Sequence, residues 1–376
     1  MIYFDNAATT KPSALAIEKA SLFNSDLFYN PSALYQAGID NSNFIKSSKE
    51  KILKYLGISS SEYEVIYTSC GTESDNQAIF CSVKRGSFVT TFGEHSAVYK
   101  SFLELKNKGQ TVAFINLNND GSVDTKQLFE YVKNNRVDFV SIVHINNETG
   151  AINDINYIAD NIKKINPKII FHSDGVQAFG KIKYKLSKNI DFYSISGHKI
   201  NALKGTGVLI RKKRATLSPY LIGGGQENNL RSGTENIFGI KVLEYALEER
   251  FSNLESIVNQ AKAIKQKIIE ILDRDLFKII DNDNISPFIL SITAVGLRGE
   301  VIMHSLEKFD IIVGNGSACS SKNRYSRVLE ACGYTNEYLD GVIRLSFSVG
   351  NTLEEAEFVA KKLNETAKEL KGIMKQ

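Results

Sequence analysis

What most limits the fold of this chain is a series of short apolar segments set between helical patterns. Residues 64–68, 87–92, 111–115, 137–143, 168–172, 190–195 and 207–211 are mostly runs of Val, Ile and Phe bounded by polar residues or Gly, the pattern of buried strands. Between several of them lie helical repeats. Residues 97–108 place Val98, Phe102, Leu103 and Leu105 at helical spacing, with Gly109 as a C-cap. Residues 124–134 open with Asp124 as an N-cap and carry Leu128, Phe129 and Val132. Strand and helix in alternation predict an α/β fold, a mostly parallel seven-stranded sheet between helices.

After Gly239 the pattern changes. Residues 240–273 read as one long helical stretch with a break near Ser252. Short strands are expected at 277–281, 287–293, 310–313 and 342–347, and a helix over 353–372. That is an α+β pattern, and it predicts a smaller second domain from about 240 onward.

Length and charge exclude several classes of function. A chain of 376 residues has room for two to three domains, or one large domain with a smaller satellite. Lys and Arg number 46 against 42 Asp and Glu, a net +4, which is too even for a nucleic-acid or membrane-surface footprint. The longest apolar runs fall far short of a membrane span. The opening Met1-Ile2-Tyr3-Phe4-Asp5 has no basic leader, so no signal peptide is expected. The four cysteines, 70, 81, 319 and 332, form no C-x-x-C pair, so neither a disulfide framework nor a structural zinc site is expected. A cytoplasmic location is the expectation.

Three motifs stand just past predicted strands. Ser69 to Asn76 follows strand 64–68 and opens a helix. Such a start offers free N–H groups and the positive helix end to a phosphate, or it is a capping box on Ser69 or Thr72. Asp174 stands just past strand 168–172, where a carboxylate can pair with a ring nitrogen, or cap a helix ahead of Gly175. Lys199 follows strand 190–195. A desolvated lysine there can bond a carbonyl carbon, and a surface lysine is the alternative. Together the three answer the functional groups of pyridoxal phosphate: a phosphate, a pyridine nitrogen and an aldehyde.

The chain resembles the cysteine desulfurases of the NifS/IscS-like group, within the class V aminotransferases of pyridoxal-phosphate fold type I. The likeness runs through Asp5-Asn6-Ala7-Ala8-Thr9-Thr10, Gly71-Thr72-Glu73-Ser74-Asp75-Asn76, Glu94-His95 and Asn146-Asn147-Glu148-Thr149-Gly150. It continues through Asp174-Gly175-Val176-Gln177, Ser196-Gly197-His198-Lys199 and Gly223-Gly224-Gly225-Gln226-Glu227. It ends with Arg231-Ser232-Gly233-Thr234, Gly316-Ser317-Ala318-Cys319 and Ile343-Arg344. The resemblance implies a large cofactor-binding domain over 13–239 and a small α+β domain made of 1–12 and 240–376.

It also implies roles. Lys199 would bond the cofactor and shuttle a proton. Asp174 would hold the pyridine nitrogen, Gln177 would donate to the ring oxygen, and His95 would stack on the ring and exchange a proton. Gly71, Thr72, Ser196 and His198 would hold the phosphate, and Thr234 would reach the phosphate in a partner subunit, making a homodimer. Asn147 and Arg344 would take the carboxylate of L-cysteine. Cys319, in a run of small polar residues that predicts a mobile loop, would take the sulfur as a persulfide and pass it to an acceptor or scaffold protein for iron–sulfur cluster or other sulfur-cofactor biosynthesis. Class V transamination and selenocysteine lysis are the alternatives on the same site. Cys70, Cys81 and Cys332 are expected to be structural, His144 and His172 core histidines, and Arg211 to Arg214 a solvated turn.

The sequence departs from the family pattern twice. Tyr35 stands where the early Gly-Asn-Pro-Ser-Ser-x-His motif has histidine, and Asn201-Ala202-Leu203-Lys204-Gly205 replaces a Gly-Pro-Lys-Gly turn. In relatives both segments lie near the substrate entrance.

Overall fold

The computed structural model describes residues 1–280, 284–315 and 325–374. Its strands are β1 (Ile2–Phe4), β2 (Tyr63–Thr68), β3 (Ser87–Thr91), β4 (Thr111–Ile115), β5 (Phe139–Ser141), β6 (Ile170–Asp174), β7 (Phe192–Ser196), β8 (Gly207–Lys212), β9 (Phe277–Ile280), β10 (Ile289–Ala294), β11 (Ile311–Val313) and β12 (Val342–Ser346).

Seven of these form one sheet in the order β2-β8-β7-β6-β5-β3-β4. Only β8 runs against the rest. It is antiparallel to both β2 and β7, whereas β7, β6, β5, β3 and β4 pair in parallel. Six carboxyl ends therefore lie on one edge, where ligands of open α/β sheets gather. β6 and β7 are buried along almost their whole length, as strands covered on both faces must be.

Helices Gly71–Ser82, Ser96–Asn107 and Thr125–Asn134 intervene between strands as the sequence predicts, and Ile155–Ile165 adds one more. Asp124 caps its helix through the N–H of Gln127, at 3.0 Å. The long stretch beyond 239 breaks at Asn253, giving helices Ile237–Ser252 and Leu254–Ile271.

A second apolar core joins Phe4, Ile264 and Ile268 to Leu290, Ile343 and Leu363. It covers the antiparallel sheet β12-β10-β9, and β1 pairs with β11 beside it. Helix Ile237–Ser252 does not belong to that core. Its Ile240, Leu243 and Leu247 pack into the core of the large sheet, so the boundary expected at 240 falls inside a helix. The reason is local: the helix packs against Ala14–Ala20 and Gln36–Leu56, where its Glu244 and Glu248 also pair with Lys51, and the break at Asn253 comes only afterward.

Arg211 to Arg214 is not wholly a solvated turn. β8 runs on to Lys212, whose ammonium lies 5.7 Å from the Tyr63 ring centroid, and Arg211 pairs with Glu64. Among the described residues no helix is long and apolar enough to cross a membrane.

Candidate active site

The carboxyl ends of β2, β3, β5, β6 and β7 surround a cavity of about 650 Å³. Gly71, Thr72, His95, Asn147, Asp174, Gln177, Ser196, His198, Lys199 and Arg344 all line it. Thr234 does not; it is exposed. Cys319 lies outside the described residues, as do residues 316–321 of the loop predicted around it.

The amino end of helix Gly71–Ser82 forms one wall. Cys70, rather than Ser69 or Thr72, occupies the N-cap, and its side chain makes no capping bond. Glu73 Oε2 instead accepts the Ser69 N–H at 2.7 Å, and Arg231 Nε donates to Glu73 Oε1 at 2.8 Å. The first turn of a helix leaves N–H groups without helical partners, a ready anion cradle. A Cβ on Gly71 would stand 2.8 Å from Val176 Cγ2 and 3.3 Å from Ser196 Cβ, so only glycine lets these segments meet. The Ser196 hydroxyl beside it is buried with no hydrogen-bond partner among the described residues.

Asp174 closes β6, and its Oδ1 accepts the Val176 N–H at 2.9 Å. Burial first, and then the charge of Asp75, pushes its carboxyl up to about 7. Asp75 is itself pushed up to about 7 by burial. Behind them the neutral ring of His172 bridges the hydroxyls of Ser141 (2.8 Å) and Ser194 (3.0 Å), the core histidine the sequence predicts. His144 is a second, its Nδ1 2.9 Å from the Tyr193 hydroxyl.

Lys199 sits in the single turn after β7 and donates to the carbonyls of Ala7 and Ala8, both at 2.7 Å. His95 N-caps helix Ser96–Asn107: its Nδ1 accepts the Ala97 N–H at 3.2 Å, which leaves the ring proton on Nε2. Burial, with the charges of Lys199, Arg327 and Arg344, pushes His95 down to about 4. At neutral pH the His95 ring is therefore uncharged. His198 Nδ1 faces the Thr9 hydroxyl at 3.1 Å.

Arg344 projects from β12. Its Nη2 donates to Asp5 Oδ1 at 2.7 Å and its Nη1 to the Asn147 carbonyl at 2.8 Å, while its Nε is buried without a partner among the described residues. Gln177 is already engaged: its Nε2 donates to Ala7 O at 2.9 Å and its Oε1 accepts from Lys181 at 2.5 Å.

The sequence reading gave no role to Asp75, Glu94, Tyr99 or Arg327, which also line the cavity. Burial pushes Glu94 up to about 8. The Arg327 guanidinium stacks on Tyr99 at 3.7 Å and donates to the carbonyls of Phe92 and Glu94. Asp75 and Glu94 lie inside motifs that were legible; Arg327 follows no pattern that could have marked it. Neither Tyr35 nor Asn201 lines the cavity within one chain.

A lysine, a buried acid and an anion cradle on the carboxyl edge of a mostly parallel sheet define a protein of the aminotransferase type. The chain matches the family described as aminotransferase class-V over residues 2–359, and it belongs to that family. It is 34% identical to the cysteine desulfurase of Nostoc sp. strain PCC 7120, a match covering 99% of this chain and 94% of that one. The solved structure of a NifS-like protein from Rickettsia africae is similar with a TM-score of 0.89 at 30% identity, covering 98% of this chain and 99% of that one. The structure of SspA in complex with cysteine is similar with a TM-score of 0.80 at 28% identity, covering 93% and 99%. Members of this family generally depend on pyridoxal phosphate.

Proposed function

We propose that the chain is a pyridoxal-phosphate-dependent cysteine desulfurase, which converts L-cysteine to L-alanine and carries the sulfur as a persulfide on Cys319. The observation that carries this reading is the meeting of Lys199, Asp174 and the Gly71–Ser196 cradle in one cavity, each from its own strand end. The residues fit the group. The unpartnered Ser196 hydroxyl and the space a Gly71 Cβ would fill suit a phosphate. An acid pushed up to about 7 by burial gains from a cation beside it, such as a protonated ring nitrogen.

Gly71, Thr72, Ser196 and His198 would hold the phosphate, Asp174 the ring nitrogen, His95 the ring face, Gln177 the ring oxygen and Lys199 the aldehyde. When bound, the cofactor supplies an electron sink for charge at the substrate α-carbon. Lys199 moves the proton at that carbon. Asn147 and Arg344 hold the substrate carboxylate, for which a planar guanidinium with a spare Nε–H is suited. The net step balances: the substrate C–S bond breaks, an S–S bond forms to Cys319, a proton goes to the β-carbon, and alanine leaves. The nucleophile is the Cys319 thiolate, because the neutral thiol is a poor one.

The same reading places the enzyme in the cytoplasm, where thiols stay reduced, as a homodimer that hands its sulfur to an acceptor or scaffold protein. Sulfide and alanine release from L-cysteine, with and without a reductant, tests the activity. Cys319→Ser is expected to keep the cofactor absorbance and lose persulfide and sulfide. Release at the wild-type rate from that variant would replace the desulfurase with an aminotransferase or selenocysteine lyase.

A further inference from the structure

Lys181 is buried to 3% exposure, and the mechanism above makes no use of it. Its ammonium donates to Gln177 Oε1 at 2.5 Å. Among the described residues it forms no ion pair with a carboxylate. The charges that act on it are those of Arg250, Lys199 and Arg344, all positive. A buried, unpaired lysine among cations is costly, and burial holds its pKa well below the usual lysine range.

We propose, on the reading of the cavity given above, that Lys181 is a positioning residue: it fixes which way the Gln177 amide faces, and through it the wall that Ala7 and Lys199 share. A glutamine amide has two orientations of nearly equal shape, and its neighbours decide between them. Here one end of the amide meets Lys181 Nζ, which donates to Oε1, and the other meets the Ala7 carbonyl, an acceptor only. Turning the amide over would set acceptor against acceptor at Ala7 and, with Lys181 as the ammonium, donor against donor at Nζ. Lys181 thus commits the Nε2 group to the Ala7 side, where Gln177 lines the cavity. The Ala7 carbonyl accepts from Gln177 Nε2 at 2.9 Å and from Lys199 Nζ at 2.7 Å. One continuous chain of hydrogen bonds therefore runs from Lys181 through Gln177 and Ala7 to Lys199. The second Nε2 hydrogen is left to serve the cofactor ring.

A double-mutant cycle with Lys181→Met and Gln177→Met tests this. Three quantities are read: the melting temperature of the cofactor-free chain, the dissociation constant for pyridoxal phosphate, and the visible absorbance maximum of the loaded chain. In the wild-type background Lys181→Met is expected to weaken pyridoxal phosphate about tenfold and to move the absorbance maximum, the effect of one lost and misdirected hydrogen bond. In the Gln177→Met background the same change is expected to do neither. Equal effects in both backgrounds, or an unmoved maximum and dissociation constant in Lys181→Met, would overturn the proposal. If Lys181→Met does not fold, Gln177→Glu and Gln177→Met ask the question from the other side. Glutamate keeps an acceptor for Lys181 and sets an oxygen against the Ala7 carbonyl, so the ion pair it gains must exceed that cost, and its cofactor-free chain is expected to melt higher than the methionine variant. Equal melting temperatures would overturn the proposal too. A wild-type chain that failed to take up pyridoxal phosphate would sink the reading of the site instead, and would leave that melting comparison standing.

Discussion

His144 stands just past β5, buried, with its Nδ1 on the Tyr193 hydroxyl, and burial pushes it from the usual 6.5 down to about 3. Between those two values the unfolded chain takes up the proton and the folded chain does not. The contribution is therefore present above pH 6.5 and is lost as pH falls toward 3. Asp75 and Asp174 act in the opposite sense. With both pushed up to about 7, the unfolded chain ionises first, and their contribution fades as pH rises from the ordinary carboxyl range toward 7. The net curve mixes the two, so a difference between variants isolates one group. Stability measured by urea at pH 4.5 to 6.5 in the cofactor-free chain is expected to fall less steeply in His144→Gln than in the wild type. The slopes should differ by about 1.4 kcal/mol per pH unit, the value for one proton. Parallel curves would show that His144 titrates in the folded chain as it does in the unfolded one.

Among the elements, β8 shows both what was legible and what was not. Its run of Val208, Leu209 and Ile210 marks a buried strand, but nothing in that composition gives its direction. It runs antiparallel between β7 and β2. The motifs at 69–76, 174–177 and 196–199 could be read because each combines a strand end with glycine or small polar residues, and all three meet at one edge. Lys181 and Arg327 could not, because a single cation in a turn or at a helix start carries no periodicity. Nor does helical spacing, which runs through 237–252 and 254–271 alike, say which core each helix covers. β8 also sets the position of the phosphate-side helix. A Cβ on Gly207 would lie 2.5 Å from the Cys70 carbonyl carbon and 2.6 Å from its oxygen, both backbone atoms that cannot swing aside. Gly207→Ala is expected to cost about 3 kcal/mol in urea denaturation, as overpacking against backbone does, and to weaken pyridoxal phosphate by displacing the Gly71 turn. An unchanged unfolding midpoint would mean that β8 and Cys70 move apart at no cost.

At the scale of the whole molecule, the cavity leaves Thr234 unused. It is exposed, while Arg231 and Ser232 just before it are tied down, Arg231 to Glu73 and the Ser232 hydroxyl to the Gly225 N–H. Leu34 and Ile222 are about nine-tenths exposed, at 93% and 90%. In the proposed homodimer another copy would cover them. With the proposed homodimer, each cavity would take Lys199 from one chain and Thr234 from the other. That arrangement makes a strong prediction about mixed dimers. Lys199→Ala kills every site in its own homodimer, and Thr234→Arg blocks every phosphate in its own. In the mixed dimer the two lesions fall together in one cavity and leave the other wholly wild type. Unfolding and refolding the two inactive variants together at equal amounts gives mixed dimers as half the population, each with one working site of two. The mixture is therefore expected to regain about a quarter of the wild-type sulfide release, as twofold symmetry dictates. If each cavity were built from a single chain, the mixed dimer would have one site without Lys199 and one still carrying the Thr234→Arg lesion. No activity would return, and the shared site would have to be abandoned.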